Sequence, residues 1–136
     1  MPLSDAVTDQ RRRGIARAMS LVLAAYWIAL AVATHVPLDA EHVRLGAGRD
    51  KIIHFAAYCG LTILLFATLR LYRISPTSTA RRAAIGLPIY AALDELLQTP
   101  LGRDGNLPDW LADVAGIAAG LVLALACHVW WWWRNR

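Results

Sequence analysis

The segment RRAAIGLPIYAALDELLQ, residues 81–98, decides the fold. Its apolar part, residues 83–93, is short, contains Gly86 and Pro88, and runs straight into Asp94 and Glu95. Hydropathy alone passes over such a segment. Around it stand three plainer runs. Residues 18–36, 52–69 and 114–133 contain no Asp, Glu, Lys or Arg. Each approaches the ~20 residues with which a helix crosses ~30 Å of hydrocarbon. The chain therefore reads as a membrane protein, and the open point is whether residues 81–98 form a fourth crossing.

Charge placement settles the expectation. Arg11, Arg12, Arg13 and Arg17 precede the first run. Arg70, Arg73, Arg81 and Arg82 lie between the second run and the weak segment, and Arg134 and Arg136 follow the last run. Basic residues flanking spans mark the cytoplasmic side. All three groups share that side only if an even number of crossings separates them, so residues 82–98 must cross despite their acids. The expected fold is an all-α membrane protein with four transmembrane helices and both termini cytoplasmic. A basic cytoplasmic tail over residues 1–17 leads into a four-helix domain over 18–133, and residues 134–136 form a second tail. The first dozen residues are expected to be disordered. Eight of the ten acids (Asp39, Glu41, Asp50, Asp94, Glu95, Asp104, Asp109 and Asp113) then fall on or near the outer side. The Trp130–Trp133 cluster becomes an aromatic belt at the inner interface.

Composition narrows the class. The 136 residues suffice for one domain, and 57% are apolar, above the roughly 45–50% of soluble domains. The net charge of +4 sits at the ends of apolar runs, which excludes a nucleic-acid footprint. Cys59 and Cys127 lie within apolar segments and read as free thiols, with no disulfide framework. Arg11–Arg13 followed by an apolar run and Ala31-Val32-Ala33 has the outline of a cleavable leader. The run continues through Tyr26 and Trp27 to Val36, so the segment reads as a retained anchor.

The polar residues inside the apolar runs fall at one depth. Asp50, His54 and Tyr58 follow i, i+4, i+8 spacing, one face of a helix. Glu95 and Gln98 are i, i+3 with Asp94 beside them, and Asp109 and Asp113 are i, i+4. Each set lies within about two turns of an outer helix end, roughly 10 Å deep. Polar groups are costly in lipid, so these sets are expected to face one another inside a bundle.

In combination these residues resemble the VanZ-like family of small bacterial membrane proteins. The resemblance rests on Asp50-Lys51-Ile52-Ile53-His54-Phe55 with Tyr58, on Glu95-Leu96-Leu97-Gln98, then on Arg103, Asp109, and Gly116 with Gly120. It spans roughly residues 20–130. Asp113 departs from it, standing where the family pattern has Asn. The resemblance implies a four-helix domain in the bacterial cytoplasmic membrane and a link with resistance to the glycopeptide teicoplanin. It implies no general biochemical activity.

The same residues admit several roles. Lys51 with Glu95, or Arg103 with Asp109, would serve as interhelical ion pairs, since an unpaired buried charge is costly. His54 beside Glu95 suits general acid–base work. Asp50, Lys51, Tyr58, Gln98, Arg103, Asp109 and Asp113 would line a site for a polar head, the cations taking phosphate or carboxylate and the acids and amide taking amines and hydroxyls. The partner expected is a membrane lipid or lipid-linked envelope molecule. The alternative is a non-enzymatic interaction protein that alters how amphiphilic compounds reside at the membrane surface. His54, Glu95, Asp109 and Asp113 are metal-compatible ligand types, but no His-x-x-x-His or Glu-x-x-His pair occurs, so neither metal nor cofactor is expected. Asp104-Gly105-Asn106 begins like a calcium loop and fails at Pro108 and Ala115. Phosphate-loop and nucleophile-elbow motifs do not occur, and His35, His42 and His128 read as interfacial. Gly116 and Gly120 form a small-xxx-small pair suited to close helix approach, within the chain or in a homo-oligomer.

Overall fold

A computed structural model describes residues 3–35, 47–98 and 107–136. They form four α-helices: α1 (Leu3–His35), α2 (Ala47–Leu71), α3 (Pro76–Gln98) and α4 (Leu107–Arg134). Three helices, α1, α2 and α4, are long and apolar enough to span a membrane. α3 falls short by composition, as its Pro, Gly and acidic residues foretold.

α1 begins at Leu3 rather than near residue 13. The tail expected to be disordered is thus helical from that point. Its local cause is visible. Asp9 accepts hydrogen bonds from Arg12 Nη2 and Arg13 Nε, each at 2.7 Å, and i, i+3 and i, i+4 pairs of this kind support a helix.

α2 ends at a tight C-cap. Arg73 has φ of 61°, the left-handed conformation usual for glycine at this position. Ile74 N–H reaches back to Leu69 O at 3.2 Å and Arg73 N–H to Arg70 O at 3.0 Å, the paired bonds of a Schellman motif. Ser75 Oγ then accepts from Ser78 N–H at 3.2 Å at the start of α3. The chain reverses within a few residues, so α3 returns alongside α2.

The most extensive contact is between α2 and α4. It is made by glycine. A Cβ on Gly116 would collide with the backbone carbonyl of Phe55, and one on Gly120 would come within 2.7 Å of Cys59 O. Both contacts have the same sequence offset, so α2 and α4 run parallel with their backbones nearly touching. The glycine face considered for self-association is therefore occupied by α2 of the same chain. Tyr26 Oη donates to Ala57 O at 2.8 Å and ties α1 to α2. Trp110 Nε1 donates to Pro88 O at 3.1 Å and ties α4 to α3.

The burial pattern inverts that of a soluble bundle. Thr62, Thr79, Asp94 and Asp113 are buried, while Ile28, Val32, Ile85, Ile89, Leu93, Val122 and Leu123 are exposed. An apolar exterior around a polar interior suits lipid rather than water. α3 obeys the same rule. Its buried stripe is Thr79, Ala83, Leu87, Ala91, Asp94, Glu95 and Gln98, and its acids thus point inward while its isoleucines point out.

Candidate functional site

Four helix ends bring polar side chains to one end of the bundle: the C-termini of α1 and α3 and the N-termini of α2 and α4. His54 is the hub. Its Nδ1 lies 2.9 Å from Asp113 Oδ1 on α4 and 3.9 Å from Glu95 Oε1 on α3. Its Nε2 lies 4.0 Å from Asp50 Oδ1, one turn earlier on α2. Against an ionised Asp113, which can only accept, Nδ1 carries the proton and Nε2 is left as the lone-pair nitrogen. The ring thus has a carboxylate near each nitrogen, and its tautomer follows from the shorter contact.

The register of α2 explains why His54 reaches this point. Phe55 and Cys59 present backbone to Gly116 and Gly120, which draws α2 and α4 close enough for a short side-chain bond one turn above. Asp113 is 1% exposed. Asp113 therefore places a carboxylate at the centre of the cluster.

Lys51 Nζ lies 3.5 Å from Asp109 Oδ1. The lysine considered opposite Glu95 is thus beside an acid of α4, the residue considered opposite Arg103. Arg103 itself lies outside the described residues, as do Asp104 and His42. Glu95 and Gln98 are both buried in the α3 stripe, and Tyr58 is buried on the His54 face of α2. Among the described residues Tyr58 Oη has no hydrogen-bond partner, and its ring centroid is 6.2 Å from that of Tyr90.

The structure adds three residues to the expected set. Asp94 accepts from Thr34 Oγ1 at 3.2 Å and from Gln98 Nε2 at 3.3 Å, and its Oδ1 lies 3.6 Å from His35 Nδ1. Thr34 and His35 come from α1, a helix that supplied no site residue in the sequence reading. The available signal was depth: both end the first apolar run, where the other sets begin. His35 reads as interfacial in the sequence, because its partner Asp94 lies 59 residues away.

Among the described residues, two groups could hold a metal ion: Asp50, His54 and Asp109, and His54, Glu95 and Asp113. Within each, one ligand atom per residue lies within 4.8 Å of the others. One imidazole with carboxylates suits a divalent ion of intermediate hardness. Without a metal, the same groups can pass a proton between His54 and its flanking acids or clasp a cationic or hydroxylated ligand.

Comparison with family models, curated proteins and solved structures yields no match to this chain.

Proposed function

We propose that the protein is a four-crossing membrane protein of VanZ-like type, with its polar cluster at the outer face of the bacterial cytoplasmic membrane. There it recognises or acts on a polar or lipid-linked envelope molecule. One observation carries this reading: His54, Glu95 and Asp113, from three helices, meet within 4.8 Å in a bundle whose exterior is apolar. Intramembrane ionisable groups are costly and commonly mark function. His54 serves as the proton-transfer group, Glu95 as its acidic partner, and Lys51 as the group that meets an anionic part of the ligand. The burial of the acids of α3 supports a fourth crossing, because only the apolar face of that helix would meet lipid.

The test is Glu95→Gln, which keeps shape and removes the carboxylate. Loss of an acid–base group costs about 10²–10⁴ in rate. Teicoplanin susceptibility in a suitable host would be measured with membrane abundance, and lipids bound to purified wild type and variant compared by mass spectrometry. Loss of both phenotype and bound lipid at normal abundance supports the proposal. A fully active variant removes the acid–base role and leaves non-enzymatic interaction with amphiphiles at the membrane surface.

A metal-dependent form of the site is a second reading. It is favoured by the His54 orientation: Nδ1 lies 2.9 Å from Asp113 while Nε2 faces the Asp50 side, and with the proton on Nδ1 this is the carboxylate–histidine arrangement that orients a metal ligand. Zinc or manganese titration of the purified protein, with His54→Ala as control, separates the two forms.

A further inference from the structure

The opposite end of the bundle holds a second constellation that the proposed function does not use. The N-terminal half of α1 and the C-cap of α2 border an open recess of about 330 Å³, lined by Arg12, Arg13, Ala16, Arg17, Tyr72 and Arg73. Four arginines thus border one space. Asp9 is the one acid among the described side chains in contact with them, bridging Arg12 and Arg13 at 2.7 Å with Arg73 Nη2 at 3.7 Å. Four positive groups against one negative group leave the pocket strongly cationic.

Three details separate this pocket from a set of charges that merely orients the chain. First, Arg73 occupies a left-handed position, φ 61°, where glycine would be the unstrained choice. Orientation by charge has no use for that conformation, since an arginine a few residues away would serve equally. Strain of this kind points to a use for the side chain it holds in place. Second, the walls are pinned. Arg12 Nη1 donates to Leu71 O at 2.5 Å, Arg70 donates to Ile74 O, and Ser20 Oγ and Tyr72 Oη lie 3.0 Å apart across the two helices. The end carbonyls of α2, which would repel an anion, are thereby covered by guanidinium. Third, the Arg13 and Arg73 side chains are 70% and 74% exposed, so guanidinium donors remain open to a ligand.

We infer that this pocket binds a phosphate group, carried either by an anionic lipid headgroup or by a small soluble phosphate compound. Guanidinium forks match phosphate oxygens in pairs, and basic pockets between membrane helices suit lipid phosphates. Arg73 and Arg17 contact the phosphate, and Asp9 holds Arg12 and Arg13 in place. The inference goes beyond the proposed function and does not depend on it.

The experiment uses the full chain purified in neutral detergent. Thermal unfolding is followed while adding inorganic phosphate, potassium chloride at equal ionic strength, or micelles doped with phosphatidylcholine or phosphatidylglycerol. A midpoint raised by phosphatidylglycerol alone assigns the lipid source, and one raised by phosphate alone assigns the soluble source. A rise with both assigns the phosphate group itself. Arg73→Gly relieves the backbone and should leave the basal midpoint equal or higher, while weakening the anion response about tenfold, as for one charge-assisted contact. Arg17→Gln, away from the cap, should weaken it comparably and covers the case in which Arg73→Gly misfolds. The inference fails if no anion raises the midpoint, if potassium chloride or phosphatidylcholine does so equally, or if the folded variants respond as wild type does.

Discussion

His54 Nδ1 and Asp113 Oδ1 meet at 2.9 Å, joining α2 to α4 inside the bundle. Asp113 is almost wholly buried, which shields its side of the bond from solvent. Removing the acceptor would leave a buried N–H unsatisfied, at a cost of about 1–3 kcal/mol. Asp113→Ala should therefore lower the thermal midpoint in detergent clearly more than Asp113→Asn, whose amide oxygen can still accept. Equal stability of the two variants would show that the contact contributes little.

The same helix pair supplies a packing prediction. Gly116 abuts the Phe55 carbonyl, and backbone cannot rotate aside as a side chain can. Gly116→Ala should force α2 and α4 apart and cost about 1–3 kcal/mol, as overpacking does. Gly86→Ala is the matched control, because a Cβ there meets nothing within 4 Å; it should stay within about 0.5 kcal/mol of wild type. Unfolding midpoints and the elution profile on size-exclusion chromatography would both report the difference.

Much of this arrangement was legible in the sequence, and particular residues show where legibility ended. Asp50, His54 and Tyr58 announced a shared helical face by spacing alone. The pairing of His54 with Asp113 did not follow from spacing, because it depends on the α2–α4 register that Gly116 and Gly120 set. Lys51 was matched to Glu95 by depth, yet it lies beside Asp109, since depth does not fix rotation about a helix axis. Thr34 escaped notice, and His35 read as interfacial, because an apolar run offers no polar periodicity to read. The helical start at Leu3 was hidden by a polar composition that resembles a disordered tail, while the Asp9–Arg12–Arg13 pairs that support it are local and were available.

Lys51 and Asp109 yield a third prediction. Their 3.5 Å approach joins a buried acid to a lysine whose side chain is 45% exposed. Partial exposure screens the pair, so the coupling should be about 1 kcal/mol, at the upper end for surface pairs. A double-mutant cycle with Lys51→Met and Asp109→Asn measures it, and the coupling should shrink at high salt. Strictly additive losses would remove this pair from the architecture.

The final prediction concerns α3, on which the number of crossings rests. Its mean composition does not qualify it as a span, but its Asp94, Glu95 and Gln98 are buried against the other helices, so the face left for lipid is Ile85, Ile89 and Leu93. A helix that hides its acids in this way can cross where its average hydropathy suggests otherwise, because the cost of a charge in lipid applies only to groups that meet lipid. If α3 crosses, the turn before it and the end of α4 lie on the same side as the arginines of α1. Single cysteines at Ser78 and Asn135, in a chain with Cys59 and Cys127 replaced by alanine, should then resist an impermeant thiol reagent in intact spheroplasts and react after lysis. A third cysteine at Gly48, at the cluster end of α2, should react without lysis. Labelling at Asn135 but not Ser78 in intact cells would leave α3 on the inner side and reduce the crossings to three. In that case the acids of α3 could not reach His54, and the 3.9 Å approach of Glu95 would have to be abandoned along with the fourth span.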